Sequence, residues 1–467
     1  MNYSTILRDD CQPIIDSIEI TTDTLTGRGG LSLFVRYLRG VHLMPHLKRL
    51  FGSLRKSDKG QPVTMIFKQL FCFFLDGTSR HLVAFDYLKR DEGYAAAIES
   101  SVDEMLSSHA VKRFFQAFRW PRIWLFRRLL QKLFLWRLAL GKPSVITLGI
   151  DTMVMDNDEA TSRHGVEPTY KKVKGFQPLQ MTWGRFIIDA VFRGGDKHSN
   201  HSDTVQKMVE HIVGEIRRSY REDVPIVIRL DSGFFDQKLF EECERLGIGY
   251  IVGGKLYNDI KEYMKCVDAS AWSCHRDDEQ SWDFVEFGDC RGSWSMFRRA
   301  IFCRPRYEEE QRLLEFARPD TVLYSNLGMG GKIDEQLRKV GKEHLLDAQH
   351  IIASYHMRGY DELVHRALKE FASETLPFKR FAPNAAFYYT MLISFFLYES
   401  FKEDVCESIV PLTAYATTVR RRLIDFAAKI VRHAGKIILK VTTATWKQLE
   451  IYALWVRSGA PPSFAWK

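Results

Sequence analysis

The chain has 467 residues, of which 45% are hydrophobic and 27% charged, and it carries a net charge of +9. These values exclude a disordered chain and a single small domain, and the positive charge favours a polyanionic partner. No uncharged run approaches the roughly 20 apolar residues that span a bilayer, so we expect no membrane partner. The eight cysteines include no Cys-x-x-Cys pair, which is typical of reduced thiols in a cytoplasmic protein.

The first part of the chain, residues 1–142, is predicted to be helical. Apolar residues recur at helical spacing over 31–38 and 63–75, and two basic, aromatic helices are predicted on either side of Pro121. Paired basic helices suit DNA docking, so we assign this part as a DNA-binding region. A helical bundle with a solvated basic face fits the same residues, and this alternative stays open.

The middle of the chain alternates strands and helices. Strands are predicted at 145–151, 185–192, 226–230, 249–253 and 321–326, and helices at 203–220, 237–246 and 384–401. This alternation predicts an α/β fold whose sheet includes parallel strands. We divide it into a first core segment at 143–253, a β-rich insertion at 254–320 and a second core segment at 321–401. A basic helical region for DNA contact or dimerisation is predicted at 402–467.

Two of the apolar strands end in an aspartate. Asp151 closes the run that begins at Ile146, and Asp231 closes the run that begins at Ile226. Active sites of open α/β sheets collect at the carboxyl ends of such strands, and carboxylates are the hard oxygen ligands that Mg²⁺ prefers. An aspartate after a strand is more often a turn residue than a ligand, so neither residue is strong on its own.

A third carboxylate belongs to a four-residue pattern. Tyr355, Arg358, Glu362 and Lys369 stand at offsets of three, four and seven, which predicts one face of a single helix over 353–369. Two aspartates and one glutamate can hold a pair of Mg²⁺ ions for phosphodiester chemistry.

Neighbouring acids compete for the same roles. Asp361 adjoins Glu362 but lies about 100° around the predicted helix, and Asp156 and Asp158 follow the first aspartate closely. We prefer Asp151 because it ends the apolar run.

Together these motifs resemble the DDE transposases of bacterial insertion sequences, in the branch marked by a Tyr-Arg-Glu-Lys signature. The matching positions are Gly149-Ile-Asp151-Thr152, Asp231-Ser-Gly-Phe-Phe235, and Tyr355, Arg358, Glu362 and Lys369. The resemblance covers about residues 143–400. It implies an RNase H-like core with a mixed sheet and flanking helices, interrupted by the β-rich insertion.

The resemblance also implies an activity. Such an enzyme binds the terminal inverted repeats of its element, pairs them as a homodimer, cleaves DNA with two Mg²⁺ ions, and joins the 3′ end to target DNA. Mn²⁺ is the expected substitute metal. An RNase H-like nuclease or resolvase that cuts without joining, and a domesticated DNA-binding protein, are the alternatives. A bacterial, nucleoid-associated location in the cytoplasm follows from the same likeness.

Roles for individual residues follow from the resemblance. Asp151, Asp231 and Glu362 are the expected catalytic residues and metal ligands. The expected DNA contacts are Tyr355, Arg358, Lys369, the loop lysines Lys171, Lys172 and Lys174, and Trp294. Trp294 stands for an insertion aromatic that stacks on a flipped base; Trp272 and Trp282 are equal candidates, and core packing suits each ring as well.

Overall fold

The computed structural model of the chain describes residues 17–54, 60–197, 199, 201–276, 280–306 and 319–466. Its helices are α1 Leu31–Val41, α2 Leu43–Phe51, α3 Val63–Asp76, α4 Ala84–Leu88, α5 Glu92–Ala97, α6 Ser108–Gln116, α7 Trp120–Gly141, α8 Thr204–Ser219, α9 Gln237–Leu246, α10 Asn258–Cys266, α11 Lys332–Lys339, α12 Ala348–His356, α13 Gly359–Phe371, α14 Phe381–Phe401, α15 Ala416–Val419, α16 Thr443–Gln448 and α17 Ile451–Gly459. Its strands are β1 Thr24–Thr26, β2 Ile146–Thr152, β3 Met155–Asp156, β4 Glu167–Pro168, β5 Lys174–Phe176, β6 Leu179–Trp183, β7 Phe186–Val191, β8 Ile226–Leu230, β9 Gly249–Gly253, β10 Ser273–Arg276, β11 Ser281–Asp289, β12 Arg298–Arg306, β13 Thr321–Ser325, β14 Ala428–His433 and β15 Lys436–Val441.

One large mixed sheet organises the molecule. Its nine strands follow the order β10-β11-β12-β13-β9-β8-β2-β6-β7. β2 pairs with β8, and β8 with β9, in parallel, whereas β6 and β7 run antiparallel to their neighbours. The segment β7-β6-β2-β8-β9 has the strand order of an RNase H-like core. The predicted α/β fold with a mixed sheet is therefore confirmed.

The insertion is β-rich, as predicted, and it extends the same sheet. Its strands β11 and β12 pair over nine residues each, and β12 pairs with β13 of the core. The insertion also contains helix α10. The second insertion strand begins at Arg298 rather than at Trp294, because Trp294 closes a turn by donating its backbone N–H to the Arg291 oxygen at 2.8 Å.

Helix α14 forms the centre of the core. Nearly every residue of it is buried, as expected of the predicted closing helix. It packs against α7 and α3 and lies beside the sheet, where Tyr389 donates a 2.7 Å hydrogen bond to the Ala190 oxygen of β7. The helical N-terminal part therefore shares a continuous core with the sheet.

The C-terminal part differs from its prediction as a wholly helical region. β14 and β15 form a hairpin in which β14 pairs with β1, near the start of the chain. The β-branched residues of both strands and the turn at Ala434, with a φ of 48°, explain why the basic residues here do not continue a helix. No helix in the described ranges has the length and apolar character required to cross a membrane.

Candidate active site

Two neighbouring parallel strands bring the predicted aspartates together. Ile150 of β2 is paired in register with Leu230 of β8, so the residues that follow them, Asp151 and Asp231, stand side by side at the carboxyl edge of the sheet. The Asp231 carboxylate accepts the Gly233 N–H at 2.9 Å, and this bond fixes its direction. The Asp151 carboxylate accepts the Thr152 N–H at 2.6 Å.

The electrostatics of this pair favour a cation. Burial, followed by the negative charge of Asp231, raises the pKa of Asp151 to about 7, against the opposing effects of the Thr152 N–H and Arg358. Two partly buried carboxylates side by side therefore lack enough positive charge to be ionised together at neutral pH. Their oxygens have the hardness and the open positions that a divalent cation such as Mg²⁺ requires.

Arg358 connects the aspartate pair to the third predicted carboxylate. Its guanidinium lies 3.9 Å from an Asp151 oxygen and 3.4 Å from a Glu362 oxygen. Burial lowers the pKa of Arg358, but Tyr355 and the three carboxylates raise it by more, so the guanidinium remains charged. Arg358 thus supplies the local positive charge that the carboxylates share in this structure.

Glu362 lies at the rim of the site. Its side chain is 61% exposed, whereas that of Asp151 is 18% exposed. Within the described residues, no three Asp, Glu, His or Cys side chains form a cluster close enough to hold a metal ion. Glu362 therefore reaches the aspartates through Arg358 rather than directly. The side chain of Asp361, its alternative, lies outside the described residues.

The signature residues occupy two helices, so the prediction of a single helix over 353–369 is wrong. α12 ends at His356 and α13 begins at Gly359. The Arg358 N–H donates to the Tyr355 oxygen, three residues back, which tightens the last turn of α12, and glycine is a poor helix former. Arg358 keeps right-handed helical dihedral angles, so the two helices still present the signature side chains to one side.

Tyr355 is built into the site rather than presented to solvent. A Cβ added at Gly253 would lie 2.4 Å from the Tyr355 hydroxyl oxygen, so the side chain is pressed against the end of β9. Burial and the nearby Asp231 raise the pKa of Tyr355, while a hydrogen bond with Arg358 opposes that change. Tyr355 therefore orients Arg358, and its predicted DNA contact remains a prediction.

His365 is a site residue that the sequence prediction missed. Its Nδ1 lies 3.9 Å from an Asp151 oxygen, and the side chain is 10% exposed. Burial, followed by the charges of Lys369 and Lys171, lowers the pKa of His365 to about 4, so the ring is neutral at pH 7. Its Nε2 is buried without a hydrogen-bond partner among the described residues. The available signal was its spacing, three residues after Glu362 on the same helical face.

The predicted basic residues divide into two groups. Lys171, Lys172 and Lys174 are exposed in and beside the β4–β5 hairpin. Lys369 instead forms a 2.6 Å ion pair with Glu374. Lys171 contributes to the pKa of buried His365, which places the hairpin next to the aspartates.

The other candidate residues are engaged within the protein. The Trp294 ring contacts Phe235 and Tyr324 and lies under the Arg298 guanidinium at 4.8 Å. Asp156 and Asp158, the alternatives to Asp151, accept backbone N–H groups of their own turn and of β5. The predicted role of Trp294 in stacking on DNA stays untested by this packing.

Comparison with known proteins places these features in context. The family model described as transposase DDE domain group 1 matches residues 17–457, which include every candidate site residue. A solved structure, the piggyBac transposase synaptic complex with hairpin DNA, is similar over 86% of this chain and 81% of its own chain, with 14% sequence identity and a TM-score of 0.40. No curated protein matches the chain.

Proposed function

The chain belongs to the transposase DDE domain group 1 family, and on this premise we propose that it is the cut-and-paste transposase of a bacterial insertion sequence. Membership makes it a DDE transposase, an enzyme that acts on DNA and depends on a divalent metal. The observation that carries the finer proposal is the juxtaposition of Asp151 and Asp231 on paired strands, with Arg358 joining them to Glu362. Lys369 and Tyr355 complete the signature of the branch.

We propose that the three carboxylates hold two Mg²⁺ ions, with Mn²⁺ as a substitute. Bound metal ions of this kind activate a water or a 3′-hydroxyl and stabilise the leaving oxygen. The protein's own residues prepare the site for them. The Gly233 N–H fixes Asp231, the neutral His365 packs against Asp151, and Arg358 offers a bidentate donor for a phosphate oxygen.

The proposed partner is double-stranded DNA, both the terminal inverted repeats and the target. The net charge of +9 and the exposed lysines Lys171, Lys172 and Lys174 support it, because each phosphate contact adds affinity that salt weakens. We further propose a homodimer that pairs the two ends, and a nucleoid-associated location in the bacterial cytoplasm.

The test is a cleavage and joining assay. Duplexes carrying the inverted repeats that flank the gene are incubated with the protein, Mg²⁺ and a target plasmid. We expect nicking at the repeat end and joining of its 3′ end to the plasmid, and loss of both in EDTA. Asp151→Ala and Asp231→Ala should bind the duplex without cutting it. Cleavage without joining would identify a nuclease, and cleavage in EDTA would contradict the proposal.

A further inference from the structure

A short hairpin places an aromatic side chain at the active-site edge. β4 and β5 pair in antiparallel, and the Thr169 N–H and hydroxyl both donate to the Val173 oxygen, at 2.9 and 2.8 Å. The loop they close, residues 170–172, turns at Lys172, whose φ of 62° is left-handed. Tyr170 is therefore presented by a hydrogen-bonded turn rather than by an unconstrained loop.

Tyr170 faces the carboxylates with one end and solvent with the other. Its side chain is 59% exposed, and its hydroxyl interacts with the Thr152 side chain, next to Asp151. Partial burial, then the negative charges of Asp151, Asp231 and Glu362, raise the pKa of Tyr170, so the phenol stays protonated at neutral pH. The hydroxyl thus anchors the residue while the ring face remains open.

Other aromatic rings near this edge are already covered. Tyr355 is pressed against Gly253, and Trp282 is only 3% exposed. Trp272 lies under the Arg304 guanidinium at 4.9 Å, and Trp294 lies among core aromatic rings. Tyr170 combines an open ring with direct electrostatic coupling to all three carboxylates.

We propose that Tyr170 stacks on the nucleobase next to the scissile phosphate and so holds that phosphate over Asp151 and Asp231. The inference rests on the proposed function and names one of its DNA contacts. Every base has a π face, so such stacking tolerates any sequence at the cleavage point. The Lys171 ammonium, 5.8 Å from the ring centre, is placed to meet the adjoining phosphate. The ring positions the substrate and takes no part in bond breaking.

The experiment measures cleavage and base stacking separately. The probe is a duplex of the flanking repeat with 2-aminopurine beside the scissile phosphate, bound in Ca²⁺ for fluorescence and cleaved in Mg²⁺. Tyr170→Ala should lose the fluorescence quenching and cleave about 5- to 100-fold more slowly, as expected for the loss of one aromatic–base stack. Tyr170→Phe keeps the ring and should retain quenching and most of the activity. Tyr263→Ala removes another half-exposed tyrosine, on α10, and should behave as wild type.

Each contrary outcome has a definite meaning. Wild-type cleavage with an equally active Tyr170→Ala overturns this inference and leaves the proposed function standing. Equal losses in Tyr170→Phe and Tyr170→Ala assign the effect to the hydroxyl, which also overturns it. Quenching that disappears in Trp294→Ala but persists in Tyr170→Ala would return the stacking role to the insertion. A wild-type protein that never cleaves with Mg²⁺ refutes the proposed function itself. Circular dichroism melting checks that every variant is folded.

Discussion

The Arg420 guanidinium donates a 2.7 Å hydrogen bond to the main-chain oxygen of Phe371, the last residue of α13. The same group donates to the oxygens of Phe74 and Leu75, near the end of α3, at 2.8 and 2.7 Å. One cation thus satisfies the terminal carbonyls of two helices, where the helix dipoles also favour positive charge. Because α13 carries Glu362, this junction ties the third carboxylate to the N-terminal helices.

The first prediction concerns this junction. Arg420→Lys keeps the charge but leaves some of these carbonyls without a donor, so we expect about 1–3 kcal/mol less stability in urea unfolding. Because α13 is then less well held, the Mg²⁺ concentration for half-maximal cleavage should also rise. Arg421→Lys, in an exposed neighbour, is the matched control. A loss of stability with unchanged Mg²⁺ dependence would assign Arg420 a structural role alone.

The second prediction follows from the raised pKa of Asp151, which is about 7 against an ordinary 3.8. In the unfolded chain this carboxyl loses its proton from about pH 4, whereas the folded protein retains it until about pH 7. Without metal, the group therefore reduces stability progressively between these values, and the loss is complete above pH 7. In EDTA, Asp151→Asn should be more stable than wild type at pH 8, by about 1–3 kcal/mol, and similar to it at pH 4.

Thermal unfolding with and without Mg²⁺ measures this effect. Mg²⁺ should raise the melting temperature of wild type at pH 8 and have little effect on Asp151→Asn, because the ligand is gone. Asp156→Asn, in the exposed turn after β2, should match wild type under both conditions. An Asp151→Asn protein that is less stable than wild type in EDTA would show that the aspartate pair carries no such strain.

The extent to which the sequence predicts this structure depends on how local each signal is. β8, β9 and α9 have the bounds predicted from apolar periodicity, and both aspartates follow from their strand ends. The β14–β15 hairpin was missed because its alternation is masked by basic residues and its partner β1 lies about 400 residues away. The proximity of His365 and Tyr170 to Asp151 depends on packing between distant segments, which no local pattern contains.

The third prediction tests His365. Replacement by phenylalanine fills the same buried space but removes both ring nitrogens beside Asp151, so cleavage should fall about 10- to 100-fold, in the manner of lost second-sphere support for a metal ligand. His365→Gln keeps a polar group there and should recover part of the loss. His350→Phe, at an exposed position on α12, is the control. Full activity in His365→Phe would reduce the residue to core packing.

The fourth prediction separates the base of the site from its rim. Asp151 and Asp231 are adjacent at the strand ends, whereas Glu362 is exposed and reaches them through Arg358. Asp231→Ala should therefore abolish both the Mg²⁺-induced rise in melting temperature and cleavage. Glu362→Ala should abolish cleavage but keep most of that rise, because the aspartate pair alone still binds one cation. Leu363→Ala, an exposed neighbour on α13, should keep both. If Glu362→Ala loses the rise as completely as Asp231→Ala, the three carboxylates bind metal as a single preformed set, and the division between base and rim is wrong.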